Sequence, residues 1–260
     1  MPLDKSSAVV RFSVLALTLV CLVGGASADT VYRFDTCGEV TGYSGPSQSE
    51  CDSAYSGTNL QGLVTVEDTG WQEITLDSGK YEITVVGAQG GDGGGAVGKS
   101  AKSSLKIELT DQKDLNVLVG QRGVGKDQYA GGGGGSFVWF DGSTTEPLIA
   151  AGGTGGSIDT EYRPHDSPDA PSAEYGVNPF GNSDATNGNG GSAGFEGGGG
   201  GGWKTAGGDG SSDCGSAQGG RAIINGGLGG HTEGDAVGGF GGGGQGGSCW
   251  YAGGSGGGYS

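Results

Sequence analysis

Six consecutive glycines, Gly197 to Gly202, run straight into Trp203, and further runs stand at Gly131 to Gly135 and Gly241 to Gly244. Ordering backbone costs about 1–2 kcal/mol per residue, so fixing six glycines costs roughly 6–12 kcal/mol with no side chain buried in return. Alone, such a run is a flexible coil. Its company argues for order: Trp203, Phe240, Trp250, Tyr251 and Tyr259, with Cys214 and Cys249, interrupt the glycines. A chain without Cβ atoms can take up the extended polyproline II helix, which rises about 3.1 Å per residue and leaves its N–H and C=O groups free for neighbours. Several such runs side by side satisfy one another's backbone groups, with weak Cα–H···O contacts added. The expectation is a bundle of polyglycine II helices, with Gly131, Gly133, Gly197, Gly199, Gly201, Gly241 and Gly243 among its structural positions.

Glycine supplies 65 of the 260 residues, without the strict Gly-X-Y period of collagen. Hydrophobic residues, at 33%, are too few for a large ordinary core but are clustered, which suits a small β core carrying a glycine-rich partner layer. The N-terminus has the three parts of a secretory signal: Lys5 and Arg11, an apolar segment from Phe12 to Gly24, and Ala26-Ser27-Ala28 as a small-residue cleavage site. The apolar segment falls short of the roughly 20 residues that span a bilayer, so cleavage after Ala28 is expected, and no later segment is apolar enough to span. Loss of residues 1–28 leaves 11 basic and 28 acidic residues, a charge of −17 against −16 for the whole chain. That acidity argues against nucleic acid and anionic membranes as partners and suits a basic partner or bound cations; scattered surface carboxylates also keep such a chain soluble.

Cys21 leaves with the signal, and four cysteines remain: Cys37, Cys51, Cys214 and Cys249. An even count in an oxidising compartment reads as disulfides, with three connectivities available. The most local choice is Cys37 with Cys51 and Cys214 with Cys249, and the spacing matches no zinc pattern.

Val31 to Cys51 reads as a short strand and a stapled, turn-rich loop. Leu63 to Val66 and Trp71 to Leu76 are short strands, and Tyr81, Ile83 and Val85 mark one face of another. Asp77-Ser78-Gly79 between them predicts a hairpin. A second is predicted from Leu105-Ile107-Leu109 and Leu115-Val117-Val119 around the polar turn 111–114, and a third from 137–140 and 148–151, with Pro147 where proline is tolerated. Short strands with regular turns imply an antiparallel sandwich, and no segment shows a sustained helical period. The chain therefore divides into a β-rich part 29–157, a surface loop 158–189 and a glycine-rich bundle 190–260, which stops in mid-pattern as though truncated.

Candidate chemistry is sparse. Gly93 to Ser100 matches the phosphate-binding loop pattern, but the mechanism needs a following helix and Leu105 to Leu109 is strand-like. His165 and His231 are the two histidines, and neither sits in a nucleophile motif. No calcium loop pattern is present as a repeat, and N-x-S/T is absent. No enzyme activity, cofactor or metal is expected.

Several motifs together resemble a known family: FDTCGEVTGYSGPSQSECDSAY at Phe34 to Tyr55, VVGAQGGDGGG at Val85 to Gly95, LNVLVGQRG at Leu115 to Gly123, AGGGGGSFVW at Ala130 to Trp139, PLIAAGGTGG at Pro147 to Gly156, GGGGGGW at Gly197 to Trp203, and GGFGGGGQGGSCWYAGGSGGGYS at Gly238 to Ser260. In this order they are similar to the extracellular region of the anaplastic lymphoma kinase and leukocyte tyrosine kinase receptors. The resemblance implies an all-β fold, an antiparallel β-sandwich related to tumour necrosis factor with an inserted bundle of polyglycine II helices. It also implies an extracellular, non-catalytic ligand-binding module, secreted or on the outer side of the plasma membrane. Its ligand would be a basic protein, with ligand-induced dimerisation; a kinase domain could lie only beyond Ser260. The loop 158–189 matches the family poorly, so no ligand-contact residue carries over. The alternative is a secreted structural or adhesive glycine-rich protein.

Overall fold

The computed structural model describes residues 7–13, 16–22, 30–38, 41–159, 169, 175–177, 183–194, 196–210, 217–232, 236–248 and 252–259. The fold is all-β. Its strands are β1 (Ser7–Ser13), β2 (Ala16–Leu22), β3 (Thr30–Phe34), β4 (Thr65–Val66), β5 (Gln72–Leu76), β6 (Gly79–Val86), β7 (Lys102–Leu109), β8 (Lys113–Leu118), β9 (Gly125–Lys126), β10 (Tyr129–Ala130), β11 (Ser136–Phe140), β12 (Ile149–Ala151), β13 (Tyr175–Val177) and β14 (Ser183–Thr186). Two five-stranded sheets result, ordered β3-β2-β1-β6-β7 and β12-β11-β8-β5-β4, with two-stranded ladders β9/β10 and β13/β14. β1 and β2 form a hairpin joined to β6 by the single pairs Ser7↔Lys80 and Val20↔Glu82. The expected cleavage point after Ala28 lies outside the described residues.

The second sheet is the central layer, and the two-residue period of a strand explains why. Leu115, Val117, Val138, Ile149 and Ala151 point into a core shared with Tyr81, Ile83, Val85 and Leu109 of the first sheet. The residues between them, Leu118, Phe137 and Trp139, point the other way and pack with Trp203, Ile223 and Phe240 from the glycine-rich part. The anchors that interrupt the glycine runs thus cover the outer face of this sheet.

Two of the three expected hairpins are corrected. β5 and β6 lie in different sheets, as do β7 and β8; β5 pairs with β8, and β6 with β7. Gln72, Ile74 and Leu76 on β5 and Tyr81, Ile83 and Val85 on β6 all face one interior, and two apolar faces meet only when their strands lie in opposite sheets. The turn at 77–78 therefore crosses between layers. The third hairpin is present, with Ser136↔Ala151 and Val138↔Ile149 paired. A short helix, α1 (Gln48–Ala54), stands where a stapled loop was expected. Glu50 accepts from the backbone N–H of Ser47 at 2.6 Å, half of a capping box. Gln48 then shields the edge of β4: its amide accepts from Val66 N–H at 2.7 Å and donates to Val64 O at 3.0 Å. The expected surface loop 158–189 carries the β13/β14 ladder.

Chain excursions leave the sandwich at Gly87, after Leu118 and after Ala151, and join segments from 188 to 258 in a backbone network. Along 131–135, Gly131 and Gly134 donate to Val124 and Gln121, Gly132 and Gly135 to Gly244 and Gly241, and Gly133 to Thr154. Successive residues thus reach three different neighbours, and residues three apart reach the same one. The carbonyls repeat the pattern: those of Gly131 and Gly134 accept from Gly91 and Ala88, that of Gly132 from Gly239, and that of Gly133 from Gly257. The run before Trp203 behaves alike, with Gly198 and Gly201 donating to Gln245 and Gly242 and accepting from Ser255 and Gly258. The first pairing is antiparallel and the second parallel. Neighbours approach so closely that a Cβ at Gly199 would collide with the carbonyl of Gly191, while Gly241 has a φ of +100°.

Candidate ligand-recognition surface

Four carboxylates lie along the outer face of the second sheet, with Asp114 and Asp141 at the end away from these excursions, Glu73 in the middle and Glu67 level with Trp71. The β5–β8–β11 register pairs Thr75 with Asp114, Glu73 with Asn116, and Asn116 with Trp139, so Glu73, Asp114 and Asn116 share the outer face with Trp139. Asp141 follows β11, and its N–H donates to Asp114 O at 2.9 Å. Glu67 comes from the β4–β5 turn, closed by its N–H to Trp71 O at 2.9 Å. Burial, then the charges of Asp114, Glu67 and Asp141, raise the pKa of Glu73 above its ordinary value. The Thr75 hydroxyl donates to Asp114 at 2.6 Å, and the Asn116 amide to Asp141 at 3.4 Å. The other amide atom, Asn116 Oδ1, is buried without a partner among the described residues.

Half-buried Trp71 borders this cluster and stands edge-on to Trp139, with centroids 5.3 Å apart and an interplanar angle of 86°. Trp139 meets Trp203 at 5.4 Å, and the Trp203 indole donates to Thr144 O at 3.1 Å, fixing the β11–β12 connection. Repelling carboxylates beside a half-buried indole suit a cationic side chain, through opposite charge and cation–π attraction. Among the described residues no three His, Cys, Asp or Glu side chains are grouped to hold a metal ion.

Cys37 and Cys51 form a disulfide. It pins α1 beside β3, next to a polar network in which Tyr55 donates to Gln72 and Gln72 donates to Asp35 O at 2.8 Å. Burial raises the pKa of Asp35 and of Tyr55. Cys214 and Cys249 lie outside the described residues. The expected glycine positions Gly131, Gly133, Gly197, Gly199, Gly201, Gly241 and Gly243 all sit against the backbone of other segments, with no room for a Cβ. In the phosphate-loop match, the N–H of Lys99 donates to the carboxylate of Asp169 at 2.8 Å, and β7 follows where a helix is required. His231 stacks on Tyr43 with centroids 4.0 Å apart; His165 lies outside the described residues. No described helix is long and apolar enough to cross a membrane.

The carboxylate cluster was not expected. Asp114 and Asp141 read locally as turn residues and Glu73 as the polar position of a strand, and only the long-range pairing of β5, β8 and β11 brings them together.

No family model matches the chain. The chain is similar to the leukocyte tyrosine kinase receptor of Mus musculus, with 36% identity over 109 residues. The match takes in 38% of this chain and 12% of that receptor, so the chain spans a small part of its relative's length.

Proposed function

We propose that this chain is an extracellular recognition module, non-catalytic in itself, which binds a basic protein ligand at the Glu67–Glu73–Asp114–Asp141 corner. The observation that carries the reading is that corner: four carboxylates share one face of a paired sheet, where burial and then the charges of Asp114, Glu67 and Asp141 raise the pKa of Glu73, beside the half-buried indole of Trp71. An arriving cation relieves the repulsion. The partial similarity to a receptor and the Cys37–Cys51 disulfide support an extracellular place, and a leader removed after Ala28 belongs to the same reading. So does a tumour-necrosis-factor-like sandwich.

The glycine segments are, in this reading, polyglycine II helices. Donation to three neighbours with a three-residue repeat supports this, because a helix of three residues per turn points its N–H groups in three directions. Such a bundle holds Trp203 against the sheet and pre-orders the corner, so that a ligand loses little entropy on docking.

The test is titration with an arginine-rich helical peptide and a glutamate-rich control, using the wild type and a Glu73→Gln/Asp114→Asn variant. Binding of the basic peptide alone, weakened by salt and roughly tenfold or more by the double substitution, is expected. Equal binding by the variant would remove the corner from the account.

A further inference from the structure

β7 is the terminal strand of the first sheet. It pairs with β6 in unbroken register from Gly79↔Leu109 to Val86↔Lys102, and the ladder continues in the Gly87 N–H to Ala101 O bond of 3.1 Å. That bond sets the phase. In an antiparallel pair, alternate residues turn their N–H and C=O groups toward the partner, so Ser103, Leu105, Ile107 and Leu109 face β6, as does the carbonyl of Ala101, whose N–H donates to Gly152 O at 3.1 Å. Lys102, Ser104, Lys106 and Glu108 face outward, and all four are exposed. Among the described residues, none of their backbone groups makes a hydrogen bond on that side. Leu105 and Ile107, on the opposite face of the strand, are only partly covered by the core.

We propose that this edge pairs with β7 of a second copy of the chain, antiparallel about a two-fold axis at Leu105. The charges select both the occupant and the register. With Leu105 opposite its own copy, Lys102 faces the partner's Glu108 and Ser104 faces the partner's Lys106, so the outward-facing residues meet as hydrogen-bonded pairs. Shifting the strands by two residues toward the N-terminus sets Lys102 against the partner's Lys106, and the same shift toward the C-terminus sets Lys106 against itself. Like charges directly opposite destabilise a strand pair, whereas opposite charges support it. The centred register also keeps the longest ladder, and it brings Leu105 and Ile107 of both copies together at the rim of the core. Such a contact is isologous and closes as a dimer, and it leaves the carboxylate corner on the other sheet free.

Sedimentation velocity of the purified chain over a concentration series tests this with four variants. Wild type is expected to associate to a dimer. Lys106→Pro removes an N–H directed to the free edge, a position that tolerates proline, and is expected to be monomeric with an unchanged thermal melt. Lys102→Glu and Glu108→Lys are each expected to weaken the dimer roughly tenfold or more, and Lys102→Glu/Glu108→Lys to restore it. A wild type that is monomeric throughout, a Lys106→Pro variant that dimerises like wild type, or a double variant no better than the singles would overturn the proposal.

Discussion

The sandwich and the glycine network solve the same problem by opposite means. In the sandwich, side chains fill the space between layers: Phe137 and Val138, adjacent on β11, serve two different cores. Backbone groups pair within flat ladders, and the order of strands is set by which apolar face must meet which. In the network there are almost no side chains to bury, and the fold rests on N–H groups spread over several neighbours. Parallel and antiparallel neighbours serve equally, which a flat sheet with one buried face does not allow so freely. The lesson is that one region is sensitive to atoms removed and the other to atoms added.

Trp203 lies where the two regions meet, touching Trp139 and Phe137, and Trp203→Ala is expected to have the largest effect. Chemical denaturation should show a loss of about 3–5 kcal/mol, with both regions unfolding together; a loss confined to the glycine segments would show that the sandwich does not depend on its second core. Gly199→Ala is the complementary addition. A methyl there meets the carbonyl of Gly191, and overpacking of this kind costs about 1–3 kcal/mol. Gly152→Ala is its control, because the nearest atom to that Cβ is 3.6 Å away, an ordinary contact. Equal melting temperatures for the two alanine variants would contradict close packing of the network.

The smallest effect is expected at the carboxylate corner. Burial and neighbouring charge raise the folded-state pKa of Glu73, so its ionisation disfavours the folded state. The penalty is fully present above the folded pKa and vanishes as the pH falls below the unfolded one. Glu73→Gln should therefore stabilise the protein at neutral pH, by a few tenths of a kcal/mol after solvent screening, and the gain should fade in acid. A destabilised variant at neutral pH would mean that the carboxylate is held by favourable contacts.

Much of the strand inventory is legible in the residues, because alternation such as Tyr81, Ile83 and Val85 reports a face directly. Pairing partners are not legible in the same way. Asp77-Ser78-Gly79 marks a reversal but does not say whether the chain returns along its own sheet or crosses to the other, and that choice depends on the pooled apolar faces of β5, β6, β7 and β8. The seven-residue α1 is too short for a helical period to show, although Ser47 followed three residues later by Glu50 was a readable start signal. Local pairing of Cys37 with Cys51 was legible from spacing. The carboxylate corner was hidden because Glu73, Asp114 and Asp141 are distant in sequence and become neighbours through strand order alone.

Order in the glycine run before Trp203 is the central claim, and amide hydrogen exchange tests it most directly. Gly198, Gly199, Gly201 and Gly202 donate to Gln245, Gly208, Gly242 and Thr205, and their exchange should be slow and comparable to that of β8 in the sandwich. Exchange of these four amides at the random-coil rate would contradict the account.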